Sequence, residues 1–79
     1  MVRKINSKNI VGVRLKQARH EHKPPLTQDE LSGRLAAVGV SLDRAAIAKI
    51  EGGIRHVLDF ELKALAQALN VRVDWLLGT

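Results

Sequence analysis

Apolar residues recur at helical rather than alternating spacing along most of the chain. Val11, Leu15 and Ala18 stand at i, i+4 and i+7 and predict a first helix over 9–22. Pro24 and Pro25 close it, because the residue before a proline avoids the helical region. Gly12 weakens this helix by about 1 kcal/mol relative to alanine. A second helix over 27–38 carries Leu31, Leu35 and Val38 on its stripe. Its start is marked by Thr27-Gln28-Asp29-Glu30, a capping box with Thr27 at N-cap and Glu30 at N3. Leu26 and Leu31 form a hydrophobic staple across that start, and Gly39 is a natural stop.

A third helix over 43–51 follows from Asp43 as cap, which pairs Leu42 with Ile47 in a second staple. Capping at Ser41 would pair Val40 with Ala45, a poorer fit. Ile47 and Ile50 then point inward with Ala46 beside them, and Gly52-Gly53 ends the helix. Arg44, Ala45, Ala48 and Lys49 are left on the outer face. A fourth helix over 59–69 carries Leu62, Leu65, Ala66 and Leu69, and Asn70 can end it in the left-handed region. A short fifth helix over 73–77 carries Trp75. The expectation is an all-α fold of five short helices without a strand.

Seventy-nine residues make one domain at most. Cysteine is absent, which excludes disulfides, thiolate metal sites and a cysteine nucleophile. Phe60 and Trp75 are the only aromatic residues, so the core must be aliphatic. No apolar run exceeds four residues, which excludes a membrane span. The charged start, Met-Val-Arg-Lys-Ile-Asn-Ser-Lys, is not followed by an apolar segment and is no secretory signal. A cytoplasmic location is the expectation.

The net charge of +5 is unevenly spread. Residues 1–26 hold seven basic side chains and one acid, for +6; residues 27–58 balance at four and four; residues 59–79 hold two and three, for −1. This asymmetry suits a polyanion, nucleic acid before membrane, or is simply a solvated basic face. Residues 1–8, with Arg3, Lys4 and Lys8, read as a flexible basic arm ahead of a domain over 9–79. The arm either lies along phosphates or stays disordered.

Catalytic chemistry has little to stand on. No paired carboxylates, glycine-rich phosphate loop or nucleophile–base set is present, so no enzyme and no cofactor is expected. His20 and His22, with Glu21 between them, point about 200° apart on a helix and cannot share one ion there.

The order of these pieces carries a resemblance. Val11-Gly12-x-Arg14-Leu15-Lys16-x-Ala18-Arg19, Leu26-Thr27-Gln28-x-Glu30-Leu31, Ile47-x-x-Ile50-Glu51-x-Gly53, and Leu62-x-x-Leu65-Ala66-x-Ala68-Leu69-x-Val71-x-x-Asp74-Trp75-Leu76-Leu77 span 11–77. Together they resemble the Cro/repressor-type (XRE) family of helix-turn-helix DNA-binding domains. The resemblance implies a small lambda-repressor-like five-helix bundle that acts as a transcription regulator, usually a repressor. Helix 43–51 would enter the major groove, whose width of about 12 Å admits one helix. It puts base contacts at Arg44, Ala45 and Lys49, with Ala48 near the edge, and a backbone contact at Gln28. It also makes Arg19 and Glu51 a structural ion pair that pins the reading helix.

The residues give their own version of parts of this. Arg44 can fork onto guanine, and Ala45 or Ala48 can touch a thymine methyl. Backbone N–H groups at Thr27, Gln28 and Asp29 suit a phosphate at the helix start. In the loop after helix 43–51, where the family touches the backbone, Arg55 is the best phosphate candidate and His56 reads as a plain surface histidine. Trp75 either closes the core or joins a homodimer interface. Leu76 and Leu77 cannot both face one core from so short a helix, which hints at a partner surface. Family members commonly pair through this region, setting two reading helices about 34 Å apart.

Some spacings depart from the family pattern. The stretch from Arg19 to Gln28 is longer, and that from Leu35 to Ile47 more so, so an extended connection over 36–42 replaces the tight turn. Arg72 stands where a small hydroxyl usually caps the last helix. Antitoxins and accessory regulators use the same fold to hold a protein, which keeps a protein-partner module as the second reading. Such proteins usually carry an extra partner-binding segment, and none is expected within 11–77, which the motif fills.

Overall fold

Thr27 and Asp43 decide where two of the helices begin. In the computed structural model, which describes residues 7–79, Thr27 Oγ1 accepts from the Glu30 amide at 3.0 Å, and Glu30 Oε1 accepts from the Thr27 amide at 2.8 Å. The capping box is therefore closed in both directions. Asp43 Oδ1 accepts from the Ala46 amide at 2.8 Å. Behind the two caps, Leu26 with Leu31 and Leu42 with Ile47 are all buried, as the staples require.

The elements are α1 (Gly12–Glu21), α2 (Gln28–Ala37), α3 (Arg44–Glu51), α4 (Asp59–Leu69) and α5 (Val73–Leu77), with no strand among the described residues. The all-α, five-helix expectation holds. No helix is long and apolar enough to cross a membrane among those residues. Leu15, Leu31, Leu35, Ile47, Ile50, Leu65 and Leu76 form the fully buried centre. Each such side chain contributes about 1.5–3 kcal/mol by leaving water. α2 packs on α3 and α4, and α1 packs on α3, α4 and α5, so α3 rests on two helices at once.

The start of the first helix and the end of the second differ from the sequence reading, each for a local reason. The first helix starts at Gly12, not residue 9, because Asn9 Oδ1 accepts from the amides of Val11 and Gly12 at 3.1 and 2.8 Å. An asparagine side chain that captures backbone donors holds the chain out of the helix. The second helix ends at Ala37, and Val38 is exposed rather than on the apolar stripe. Gly39 turns left-handed at φ 84°, and the Val40 amide reaches back to the Leu35 carbonyl at 2.9 Å. That six-to-one closure is the Schellman turn. The connection between α2 and α3 is therefore 38–43, beginning in this turn and anchored by buried Leu42.

Gly12 has a packing reason for its lack of a side chain. A methyl group there would overlap the Ile50 carbonyl oxygen at the end of α3. The first turn of α1 and the last turn of α3 thus meet backbone to backbone, an approach that only glycine permits.

Candidate nucleic-acid interface

α3 presents Arg44, Ala45, Ala48 and Lys49 to solvent and buries Ile47 and Ile50 beneath them. This is the division that the helical spacing predicts. Two alanines between two long cations leave a thin surface that another molecule can approach closely. Beside it, Lys16, Arg19, Thr27, Gln28, Asp29, Arg44 and Glu51 line an open depression of about 510 Å³ between the start of α2 and the face of α3.

Glu51, the last residue of α3, is held from two sides. Arg19 Nε and Nη2 donate to its two carboxylate oxygens at 2.8 and 2.9 Å. The third nitrogen, Nη1, donates to the Leu26 carbonyl at 3.0 Å. The carboxylate raises the Arg19 pKa further, so the guanidinium stays charged. Gln28 Nε2 then donates to Glu51 Oε1 at 3.1 Å. One carboxylate therefore ties α3 to α1 and to the first residue of α2.

This network changes the reading of α2's N-terminus. The Thr27 amide is engaged by Glu30, so it is not free for an anion, and Thr27 Oγ1 is taken by its cap. Gln28 and Asp29, as the first two helical residues, keep amides without an intrahelical acceptor. Half-buried Gln28 has one amide hydrogen on Glu51 and keeps a second for another acceptor.

Arg55 is placed differently from expectation. Its Nη1 and Nη2 donate to Glu61 Oε1 and Oε2 at 2.9 and 3.1 Å, and Nη1 also donates to the His56 carbonyl at 2.8 Å. Arg55 is therefore a clamp for the loop after α3, not a free phosphate ligand. Its partner Glu61 is buried and also accepts from the Leu58 amide at 3.0 Å. The Arg55 guanidinium and that amide together hold the Glu61 carboxyl below the usual range, against the opposing effect of burial. The sequence reading missed Glu61. Its spacing of four from Leu65 and seven from Ala68 puts it on the buried face of α4, which was the available signal.

Asn9 was also missed. Besides accepting from the Val11 and Gly12 amides, its side chain donates through Nδ2 to the carbonyls of Ile50 and Arg55 at 3.0 and 2.9 Å. The Lys8 amide donates to the Gly53 carbonyl at 2.8 Å. Lys8, read as part of the arm, is thus backbone-bonded to the α3–α4 loop, with its side chain exposed. Arg3 and Lys4 lie outside the described residues. His56 is exposed.

The C-terminal apolar residues separate. Leu76 is fully buried in the chain's own core, so it is not a surface for a dimer. It is Leu76, rather than Trp75, that closes the core. Trp75 is half-buried and covered by Arg14, whose guanidinium carbon lies 4.9 Å from the ring centre. Leu77 is half-buried. Arg72 pairs with Asp74 at 2.9 Å, and α5 starts without a side-chain cap.

His20 is exposed, while His22 accepts at Nε2 from Arg34 and so donates at Nδ1 to the Pro24 carbonyl. Among the described residues no three His, Asp, Glu or Cys side chains gather as metal ligands. Neither a protein-family model, nor a curated protein, nor a solved structure matches the chain.

Proposed function

We propose that the chain is a sequence-specific double-stranded DNA-binding transcription regulator, a repressor in its simplest form, that inserts α3 into the major groove. The observation that carries this reading is the outer face of α3. Arg44, Ala45, Ala48 and Lys49 are all exposed on a helix whose opposite side is buried and whose last residue is locked by Arg19 and Gln28. A reading helix needs a thin, cationic exposed face and a rigid base, because base-edge hydrogen bonds tolerate little misplacement. The +6 charge of residues 1–26 supplies long-range attraction to phosphates.

In this reading Arg44 and Lys49 meet base edges or phosphates, Ala45 and Ala48 allow close approach, and Gln28 with the adjacent amides meets a phosphate. Arg55 drops out of the contact set and serves the loop. The protein acts in the cytoplasm, as a homodimer on an inverted repeat, with no catalysis and no cofactor. Trp75 and Leu77 remain candidates for the dimer contact; Leu76 does not.

A protein-partner module is the second reading, and one observation favours it. Ile54, Leu58 and Phe60 are 65%, 51% and 58% exposed, close together in sequence around the α3–α4 loop. Amide chemical-shift mapping with a random-sequence DNA duplex separates the two. The DNA reading expects the largest shifts at residues 27–29 and 44–49. Shifts confined elsewhere, or none at low salt, contradict it.

A further inference from the structure

Asp29 is an acid on a surface proposed to face a polyanion. Of the two carboxylates lining the depression between α2 and α3, Glu51 is committed to Arg19 and Gln28. Asp29 has no such task. The cap of α2 is Thr27, and the reciprocal acid is Glu30. Its neighbour across the depression is Arg44, with Nη1 3.6 Å from Asp29 Oδ2. Their side chains are 68% and 71% exposed, so the pair is too long and too wet to hold the fold. It does bias one cation, the residue proposed to read bases.

Two kinds of acceptor can take Arg44 from Asp29. A phosphate oxygen brings a negative charge up to the carboxylate. A guanine edge offers two neutral acceptors, O6 and N7, that match the guanidinium fork. Asp29 repels the first and tolerates the second. Lys16 also lines the depression and offsets part of this repulsion, but removing the Asp29 carboxylate still shifts the balance towards phosphate.

We infer that Asp29 is a specificity-determining residue: it holds Arg44 over the depression and disfavours phosphate relative to a neutral base edge. The inference rests on the DNA-binding reading above. It assigns Asp29 a role opposite to that of every cation on the same surface, since it weakens indiscriminate binding in order to sharpen choice.

The test is a double-mutant cycle read by fluorescence anisotropy on a random-sequence duplex of about 20 base pairs, two helical turns. D29N should tighten binding to this duplex by about fivefold, the upper range for an exposed pair. In an R44A background the same substitution should change it less than about twofold, because the cation it restrains is gone. D29E, which keeps the charge, should restore wild-type affinity. Selection from a random duplex library should yield a broader sequence set for D29N than for wild type. Equal tightening in both backgrounds would mean a plain charge effect and overturn the inference while leaving DNA binding intact. A folded wild-type protein that binds no duplex even at low salt would overturn the DNA reading itself, and this inference with it.

Discussion

Arg19 and Glu51 meet through two parallel hydrogen bonds of 2.8 and 2.9 Å, with side chains only 9% and 5% exposed. They join the end of α1 to the end of α3 across 32 residues of chain. Removing one member leaves the other charged and buried, a loss of about 3–5 kcal/mol. A 79-residue domain at about 0.05–0.15 kcal/mol per residue has only about 4–12 kcal/mol in all. Glu51→Ala should therefore remove a large part of the stability, while Arg72→Ala, at a side chain 84% exposed, should leave it nearly unchanged. Replacing both partners, Arg19→Met with Glu51→Leu, should recover most of the loss. Urea denaturation of the variants checks the order.

The second buried carboxylate sets a pH dependence. Arg55 and the Leu58 amide lower the Glu61 pKa in the folded chain relative to the unfolded one. The stability this supplies is complete above the unfolded value of about 4.3 and is lost as pH falls through the lower folded value. Glu61→Gln should cost about 1–3 kcal/mol at pH 7, less than a fully buried pair because Arg55 is 31% exposed. The difference between wild type and variant should shrink below about pH 4. Thermal melting at pH 7 and pH 3 measures it. A difference independent of pH would remove the charge from the explanation.

Two glycines in helices should respond with opposite signs. Gly12→Ala gains about 1 kcal/mol of helix propensity but drives a methyl into the Ile50 carbonyl, an overlap costing about 1–3 kcal/mol or more. Gly33 in α2 is exposed with open space where its Cβ would stand, so Gly33→Ala should stabilise by about 0.5–1 kcal/mol. Melting temperatures of the two variants should move apart.

The contrast between these sites explains what the sequence made legible. Thr27 with Glu30, and Asp43 with its staple, are local signals written within five residues, and they placed α2 and α3. Arg19 with Glu51 was legible only through the family resemblance, because nothing local links residues 32 apart. Asn9 bonds carbonyls 41 and 46 residues away, and no periodicity announces such a bridge. Gly12 read as a weakness because its value lies in what passes over it. Arg55 read as a free cation because Glu61 was overlooked on an otherwise apolar stripe. Trp75 drew attention by size, yet the smaller Leu76 fills the core, since Arg14 covers the ring from outside.

The outer face of α3 is proposed to read duplex sequence. This role is tested most directly by in-vitro selection from a random duplex library at about 150 mM salt, where purely electrostatic binding is suppressed. An enriched inverted repeat with half-sites about ten base pairs apart is the expected result. Arg44→Ala should lose preference at one position per half-site, by about 1–3 kcal/mol. No enrichment by the folded protein, or an Arg44→Ala profile identical to wild type, would contradict that role.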